Sequence, residues 1–293
     1  MPRAHANGIE IEYEAFGDPN AAPLLLVMGL GAQMLSWDES FCEQLAARGF
    51  YVIRFDNRDS GLSTKMEEAG EPDVMAALAG HGKPAYSLDD LADDAIGLLD
   101  ALGIGAAHIV GASMGGFIVQ LMAINHADRV ISLTSIMSGP GGHDTVSPLP
   151  EGAEVLTRVA PETRDGRIEH GVWIRRVLNG SGPFDEAEEL RRTTRAVDRS
   201  YYPPGTGRQL VAVFAAHSRL ERLAQVKVPT LVIHGIDDPL VPVENGRRVA
   251  AAVPGARLLE FEGMGHNMPE RFWPQILDAI VDTARKANVL QPG

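Results

Sequence analysis

Mostly apolar runs of four to seven residues alternate with longer amphipathic segments along most of the chain. A short apolar run without polar alternation predicts a strand that is buried on both faces. Such runs occupy residues 24–28, 51–55, 107–110, 130–136, 230–235 and 256–261. Strands that alternate with helices predict a mostly parallel, twisted sheet with helices on both faces, which is the α/β class.

Turn and cap residues mark the ends of several predicted elements. Asn7 and Gly8 tolerate positive φ and predict a tight hairpin between the first two strands. Ser87 is a predicted N-cap before a segment whose leucines share one helix face, and Gly103 ends that segment. Pro274 is predicted to begin a last amphipathic helix near the C-terminus.

The alternation of strands and helices stops near residue 140, after a run of glycine and proline, and resumes near residue 228. Residues 140–225 contain 12 Arg, no Lys and 12 acidic residues, whereas the rest of the chain has 14 basic and 27 acidic residues. We interpret residues 1–139 and 226–293 as one core. Residues 140–225 are then a neutral helical cap, or lid, inserted after the strand at 130–136.

Composition and charge narrow the classes of function. The chain has 293 residues, of which 45% are hydrophobic and 22% charged, as is typical of a globular enzyme. A net charge of −13 argues against nucleic acids and anionic membranes, which bind basic surfaces. No run of 18 apolar residues is present, so we expect no membrane span.

The sequence also indicates the cellular compartment and whether a metal or cofactor is expected. The first eight residues lack the apolar core of a signal peptide, and the single Cys42 excludes an internal disulfide. Both features favour a cytoplasmic protein. We expect no metal, because the chain has no H-E-x-x-H motif, no paired cysteines and no spaced set of histidines and carboxylates. We expect no cofactor either. The oligomeric state is not readable from the sequence.

The candidate chemistry begins at residues 111–115, where the sequence G-A-S-M-G lies between an apolar run and a helical segment. In a G-x-S-x-G turn the serine has a strained backbone, and the flanking glycines avoid steric clashes. Ser113 is therefore predicted to point out of the sheet as a nucleophile. The helix that follows directs its positive N-terminal end at the place where negative charge develops.

A nucleophilic serine needs a base and a carboxylate that orients the base. His266 lies in a glycine-rich loop after residues 256–261, and both Asp237 and Asp238 follow the strand at 230–235. The order serine, aspartate, histidine, with each residue after a strand, is that of the α/β-hydrolases. The residues alone leave the choice of aspartate open, because both lie just beyond the strand end.

Five segments resemble the α/β-hydrolase superfamily, and within it the capped serine esterases that include aclacinomycin methylesterase and related bacterial carboxylesterases. They are residues 25–31, 54–63, 111–115, 235–239 and 263–266. The resemblance covers nearly the whole chain and implies the α/β-hydrolase fold and ester hydrolysis. Many relatives carry His-Gly where this chain has Met28 and Gly29. That departure leaves the backbone N–H donors in place.

The resemblance also implies roles for particular residues. Relatives place the acid immediately before a proline, which favours Asp238 over its neighbour. The backbone N–H groups of Leu30 and Met114 would form the oxyanion hole, which binds the negatively charged oxygen of the tetrahedral intermediate. The charged residues 56–59 would hold a loop rather than take part in catalysis.

The cap is the least matched segment, so predictions about the substrate pocket depend on pattern alone. Trp173 and Val177 lie in an apolar part of the cap and are predicted to line the pocket. His143 follows the glycine run where the cap begins and is predicted to face the pocket too. The alternative is that these residues only pack the cap against itself and the sheet. The arginine cluster at 191–195 is expected to be a solvated helix face paired with nearby glutamates.

Three functions fit these observations. The first is a carboxylic ester hydrolase, of the carboxylesterase or methylesterase type, that works through an acyl-enzyme on a small-molecule ester. The second is a perhydrolase, or cofactor-free haloperoxidase, in which peroxide resolves the same acyl-enzyme. The third is a non-catalytic ligand-binding protein on the hydrolase fold. An intact set of serine, aspartate and histidine favours the first.

Overall fold

The computed structural model describes residues 2–290, with side chains as far as Ala287. Among these residues, eight strands form one sheet. The strands are β1 (Arg3–Ala6), β2 (Ile9–Phe16), β3 (Ala22–Val27), β4 (Phe50–Phe55), β5 (Ala107–Ala112), β6 (Val130–Ile136), β7 (Thr230–Gly235) and β8 (Arg257–Phe261). Their order is β1-β2-β4-β3-β5-β6-β7-β8, in which β1 and β2 are antiparallel to their neighbours and the other six strands are parallel.

Eleven α-helices accompany the sheet in the same part of the chain. They are α1 (Glu39–Ala46), α2 (Val74–Leu78), α3 (Leu88–Ala101), α4 (Met114–Asn125), α5 (Pro150–Thr157), α6 (Arg164–Leu178), α7 (Glu186–Arg199), α8 (Pro203–Ala215), α9 (Leu220–Leu223), α10 (Glu244–Ala252) and α11 (Trp273–Leu290). Strands and helices alternate along the core, so the predicted α/β-hydrolase fold is confirmed. Within residues 2–290, no helix has both the length and the hydrophobicity that crossing a membrane requires.

Alternate residues of the central strands enter two hydrophobic cores, one on each face of the sheet. In β3, Leu25 and Val27 belong to the core that includes residues of α3 and α4. Leu24 and Leu26 belong to the core that includes residues of α1 and α11. All four side chains are fully buried. Burial on both faces is the reason why the strand sequences lack polar alternation.

The turn and cap residues predicted from the sequence lie at or next to the observed ends of the helices and strands. Asn7 and Gly8 have φ of 47° and 79°, as a primed hairpin turn requires. Ser87 accepts a hydrogen bond from the Asp90 N–H in a capping box that begins α3. The last helix begins at Trp273, one residue before the predicted proline. A proline is tolerated in that first turn because its missing N–H would have no partner there.

The cap, residues 140–225, lies between β6 and β7 and contains helices α5 to α9 and no strand. Arginines on one face of α7 reach acidic residues of the core, at helical positions i, i+3 and i+7. The pairs are Arg192 with Asp38 (3.3 Å), Arg195 with Glu39, and Arg199 with Asp56 (2.7 Å). These arginines therefore bridge two parts of the chain instead of forming only the solvated face that the sequence indicated. The division at residues 139/140 and 225/226 stays a prediction.

A buried ion pair also joins α8 to the core. Arg208 donates two hydrogen bonds, of 2.8 and 2.9 Å, to the carboxylate of Asp59, and the side chains are 3% and 0% exposed. The Tyr86 hydroxyl donates to the same carboxylate at 2.7 Å. Burial by itself would raise the pKa of Asp59, but these hydrogen bonds outweigh it and the pKa is lowered. The pair anchors the cap to the loop that follows β4.

Replacing one partner of this buried pair is expected to destabilise the protein strongly. Arg208→Met leaves the Asp59 carboxylate buried without its cation, a change that typically costs about 3–5 kcal/mol. The matched control is Arg164→Met, which removes an exposed pair with Asp198 within the cap and should leave the free energy of unfolding nearly unchanged. Urea unfolding gives both values. Equal losses in the two variants would show that the buried pair does not anchor the cap.

Candidate active site

Ser113 occupies the sharp turn between β5 and α4. Its φ of 57° and ψ of −122° are strained values for a residue with a side chain. A Cβ on Gly111 would overlap the carbonyl of Gly115, and a Cβ on Gly115 would overlap the carbonyl of Val27. The two glycines are therefore sterically required. They let the strand turn directly into the helix with the serine at the tip.

The turn places Ser113 at the N-terminal end of α4, a helix of 12 residues. The Ser113 carbonyl accepts a hydrogen bond of 2.8 Å from the Gly116 N–H. Its own N–H donates to the carbonyl of Ile136 on β6, at 2.9 Å. The backbone of the serine is therefore fixed on both sides. The helix end contributes a partial positive charge beside the hydroxyl.

Asp238 and His266 meet beyond the carboxyl ends of β7 and β8. The His266 Nδ1 lies 2.7 Å from Asp238 Oδ2, with the two side chains 7% and 0% exposed. The other carboxylate oxygen accepts hydrogen bonds from the N–H groups of Leu240, at 2.9 Å, and Val241, at 2.8 Å. The turn after the aspartate therefore fixes the carboxylate, and the carboxylate fixes the imidazole.

The buried carboxylate of Asp238 stays ionised. Burial by itself would raise its pKa, but the charge of His266 and hydrogen bonds from His234 and His266 outweigh this and lower the pKa to about 2. His234 is fully buried beneath the turn, with Nε2 2.7 Å from the Val241 carbonyl and 3.5 Å from Asp238 Oδ2. Asp238 is thus a fixed negative charge beside the imidazole of His266.

The side chains of Asp237 and Asp238, between which the residues alone did not decide, have different environments in the structure. Asp237 is part-exposed and accepts hydrogen bonds from the hydroxyl and the N–H of Ser181 in the cap. Asp238 is the one that contacts His266. The two carboxylates therefore have different partners, and only that of Asp238 is hydrogen-bonded to the histidine.

Ser113 and His266 border the same cavity, which has a volume of about 900 Å³. Leu30 borders it as well, and a Cβ on Gly29 would lie 2.9 Å from the Ser113 Cβ. The loop after β3 therefore passes directly beside the serine. In the described part of the chain, the N–H groups of Leu30 and Met114 have no acceptor, so both are free to bind an oxyanion.

The cap helps to hold the loop that carries His266. The N–H of His266 donates to the Leu178 carbonyl at the end of α6, at 2.7 Å. The N–H of Gly265 donates to the next carbonyl, that of Asn179, at 3.2 Å. The Asn267 amide donates to the Asn179 side chain at 2.9 Å. These contacts were not predicted, because backbone acceptors leave no signal in the sequence.

The cap also holds the loop beside the serine, through Gln209 on α8. The fully buried Gln209 accepts a hydrogen bond of 2.8 Å from the Gly31 N–H and donates one of 2.7 Å to the Arg58 carbonyl. Sequence analysis did not identify this residue. Its sequence context is a pair of polar residues, Arg208 and Gln209, directly before the apolar run at 210–215.

Helix α6 forms part of the cavity wall, but with a different face from the one predicted. Gly171, Ile174, Arg175 and Leu178 border the cavity, at the i, i+3, i+4 and i+7 positions of one helix face. Neither Trp173 nor Val177 is among the lining residues. Both belong to a neighbouring face, because each residue turns about 100° around the helix axis.

The contacts of Trp173 and the exposure of His143 also place these two side chains outside the cavity wall. Trp173 stacks on His170, with ring centroids 5.5 Å apart, and lies under the Arg158 guanidinium at 4.3 Å. His143 does not reach the cavity either, since its side chain is 87% exposed next to Asp144. The pocket assignments of Trp173, Val177 and His143 are therefore corrected to positions outside the cavity wall.

The charged loop at 56–59 lies beneath the site, and its side chains are engaged in structural contacts. Asp56 accepts hydrogen bonds from the N–H groups of Met34 and Leu62, both at 2.8 Å. Asn57 donates to the Met28 carbonyl at 2.9 Å, which fixes the end of β3. Among the described residues, no group of three or more His, Cys, Asp or Glu side chains is arranged to hold a metal ion.

Comparison with known proteins agrees with this geometry. The sequence profile of the α/β-hydrolase fold family matches residues 22–270. The chain is 34% identical to the rhodomycin D methylesterase DauP of Streptomyces sp. (strain C5), over 94% of this chain and 95% of that protein. It is 29% identical to a 2-hydroxy-6-oxononadienedioate/2-hydroxy-6-oxononatrienedioate hydrolase of Burkholderia vietnamiensis, over 93% and 91% of the two chains.

Solved structures show the same fold. The enol-lactonase from Burkholderia xenovorans LB400 superimposes with a TM-score of 0.74 at 25% identity, covering 97% of this chain and 100% of that one. A thermophilic esterase from Thermogutta terrifontis superimposes with a TM-score of 0.72 at 23% identity, covering 98% of each chain, and shows the fold alone. The chain therefore belongs to the α/β-hydrolase fold family, in which it is an ester-hydrolysing enzyme.

Proposed function

We propose that the protein is a serine esterase that cleaves carboxylic esters through an acyl-enzyme, with Ser113, His266 and Asp238 as the catalytic triad. The observation that carries this proposal is the Asp238–His266 hydrogen bond of 2.7 Å beside a cavity that Ser113 also borders. The strained turn of Ser113 and the free N–H groups of Leu30 and Met114 support it.

The reaction follows from these positions. The Ser113 hydroxyl attacks the ester carbonyl carbon while His266 Nε2 takes its proton, and the oxyanion accepts hydrogen bonds from the N–H groups of Leu30 and Met114. The tetrahedral intermediate collapses to the acyl-enzyme as His266 returns the proton to the leaving alcohol. Water then attacks the acyl carbon with His266 as the base, and the carboxylic acid leaves.

Asp238 stays ionised during both steps, the formation of the acyl-enzyme and its hydrolysis. Its hydrogen bond to Nδ1 keeps the second imidazole nitrogen directed away from the carboxylate, and its negative charge stabilises the imidazolium that forms. With a pKa of about 2, the carboxylate is ionised throughout the neutral pH range. The positioning contacts of Gln209 and Leu178 make the cap part of this machinery.

The charges around the cavity favour a neutral ester over a dianion. The lining residues include three guanidinium groups and five carboxylates. They are Arg175, Arg192, Arg271, Asp38, Asp185, Glu188, Glu189 and Glu270. Arg175 and Arg192 are in ion pairs, and Arg271 donates to the Gly263 carbonyl. Most of the carboxylates are paired with arginines too, but they outnumber the guanidinium groups of the wall, and this excess disfavours anionic substrates. Together with the methylesterase relatives, this supports a neutral carboxylic ester, such as a methyl ester, as the substrate.

Covalent labelling tests the nucleophile. A fluorophosphonate should label the wild type at Ser113, and Ser113→Ala should abolish both the labelling and the hydrolysis of p-nitrophenyl acetate. Mass spectrometry of the labelled peptide locates the site, and Ser181→Ala is the control for a second serine in the cap. Full hydrolysis by Ser113→Ala would refute the assignment. A wild type that neither reacts nor turns over any ester would favour a ligand-binding protein, and peracid formation from acetate and peroxide would favour a perhydrolase.

A pair of variants tests the acid. Asp238→Asn removes the charge beside His266 and is expected to lower kcat by about 10⁴-fold, as the equivalent change does in a serine protease. Asp237→Asn changes a side chain that is hydrogen-bonded to Ser181 in the cap and not to His266, so its kcat should fall less than about tenfold. Steady-state rates on p-nitrophenyl acetate give both numbers, and circular dichroism checks the fold. The reverse order of losses would move the assignment by one residue.

A second pair of variants tests the corrected cavity wall. Ile174→Ala enlarges the cavity and should raise the ratio of kcat/KM for p-nitrophenyl octanoate over the acetate by about tenfold, the usual effect of one or two methylene groups in an apolar pocket. Trp173→Ala, on the neighbouring helix face, should leave this ratio within about twofold. A change of the ratio in Trp173→Ala but not in Ile174→Ala would restore the original prediction.

A further inference from the structure

A second imidazole besides that of His266 lies close to Asp238, and the proposed mechanism gives it no role. It belongs to His234, a fully buried residue near the end of β7. Its Nε2 is 2.7 Å from the Val241 carbonyl oxygen and 3.5 Å from Asp238 Oδ2. The same carboxylate oxygen lies 2.7 Å from the Nδ1 of His266. Two imidazoles therefore lie next to one oxygen of the proposed acid.

The contact with Val241 shows which nitrogen of His234 carries a proton. A carbonyl oxygen can only accept a hydrogen bond, so Nε2 is the donor. Nδ1 has no hydrogen-bond partner among the described residues. Gly246 on α10 lies directly against it, since a Cβ at that position would be 2.3 Å from Nδ1. The neighbouring helix therefore leaves the ring little room, and the ring directs its N–H to the turn that follows β7.

The turn that follows β7 links His234 to the position of the acid. The N–H groups of Leu240 and Val241 donate to Asp238 Oδ1, at 2.9 and 2.8 Å. The carbonyl of the same Val241 accepts the hydrogen bond from His234. Both backbone polar groups of Val241 are thus engaged, one with the acid and one with the histidine. Loss of the imidazole would release the turn and, with it, the carboxylate.

Packing alone does not account for a histidine at position 234. A buried nitrogen without a partner loses its hydration uncompensated, and an apolar side chain would avoid that cost. An unpaired buried group in a native protein calls for an explanation, of which a role in catalysis is one. His108, a buried histidine on β5, has a partner for its Nδ1, because the Ser132 hydroxyl is 2.8 Å away. Its ring packs on that of Phe50, with centroids 5.6 Å apart, so His108 is a matched structural control.

We propose that His234 is a positioning residue of the catalytic acid. Its Nε2–H holds the turn that carries Asp238, and the fixed carboxylate orients His266. His234 is not among the residues that line the cavity, so it does not touch the substrate, and its whole effect passes through Asp238. The inference rests on the proposed triad and adds one residue to the support of its acid.

Substitutions of His234 test the role of its N–H group. His234→Leu removes the donor and is expected to lower kcat by about 10- to 100-fold, because a displacement of about 1 Å in a catalytic group can cost about 10²-fold. KM should stay within about threefold, since the residues that line the cavity are unchanged. His234→Gln keeps an N–H donor near the place of Nε2 and should restore kcat to within about fivefold of the wild type. Equal kcat values for the Leu and Gln variants would overturn the proposal.

A control variant and a titration separate this role from a loss of folding. Each kcat is divided by the fraction of protein that a fluorophosphonate labels at saturation, so that unfolded protein cannot imitate the effect. His108→Leu removes a buried imidazole on another strand and should leave the corrected kcat nearly unchanged. A corrected kcat that falls equally in His108→Leu and His234→Leu would contradict a specific role of His234.

A double-mutant cycle shows whether His234 acts through Asp238. Asp238→Asn alone is expected to lower kcat by about 10⁴-fold. Adding His234→Leu to this variant should lower kcat by less than about twofold, because no carboxylate remains for the histidine to position. Losses that multiply in the double variant would show that His234 acts by another route, and the proposal would fail.

A readout without turnover separates this inference from the esterase proposal. A proton on His266 Nδ1 that is hydrogen-bonded to Asp238 should give a far-downfield ¹H NMR resonance, which Asp238→Asn removes. The resonance should shift or broaden in His234→Leu, return in His234→Gln and stay unchanged in His108→Leu. If no ester is hydrolysed but the resonance behaves in this way, the esterase proposal fails and the positioning role stands. If hydrolysis requires Ser113 and Asp238 while His234→Leu changes neither kcat nor the resonance, only the positioning role fails.

Discussion

The strained backbone of Ser113 is the constraint around which the active site is arranged. A residue with φ of 57° at a strand end costs about 1–3 kcal/mol and persists only where its surroundings leave no alternative. Here the Ile136 carbonyl on β6 and the first turn of α4 fix it on both sides. Gly111 and Gly115 allow the backbones of β5, α4 and β3 to approach closely. The parallel sheet thus supplies the stability that holds one side chain in a reactive position.

The second organising feature is the dependence of the site on the cap. Contacts from α6 hold the backbone of the His266 loop, and Gln209 on α8 holds the loop beside the serine. Ion pairs of α7 and α8 with Asp38, Glu39, Asp56 and Asp59 attach these helices to the core. The cap therefore takes part in positioning both the proposed base and the proposed oxyanion donors, in addition to lining the cavity. This also accounts for the unequal charge along the chain, since the arginines of the neutral cap face an acidic core.

The cavity combines two kinds of environment. Near the serine it is bordered by Gly29, Leu30 and His266, whose imidazole is hydrogen-bonded to Asp238. Farther along its wall are aromatic residues, among them Phe41 and Phe184. Carboxylates outnumber guanidinium groups around it, and the arginines are held by other groups. Such a cavity suits a neutral molecule better than an anion.

The sequence by itself determined the features that depend on local chemistry or on repetition. Apolar runs and helical segments predicted the sheet and its helices, because burial on both faces leaves a visible pattern. The glycines around Ser113 predicted the turn, because only glycine fits there. The order of serine, aspartate and histidine predicted which loops would meet, since parallel strands bring their carboxyl ends to one edge of the sheet.

Tertiary structure decided what depends on direction and on distant partners. The choice between Asp237 and Asp238 depended on which carboxylate faces His266, and the two differ by a single residue along the chain. The predicted pocket face of α6 was wrong because an apolar run shows that a helix is buried but not which neighbour covers each face. The role of Gln209 was not predicted because its hydrogen-bond partners are backbone groups 178 and 151 residues away along the chain. A backbone N–H or carbonyl is the same at every position, so only the folded chain shows which one a side chain will meet.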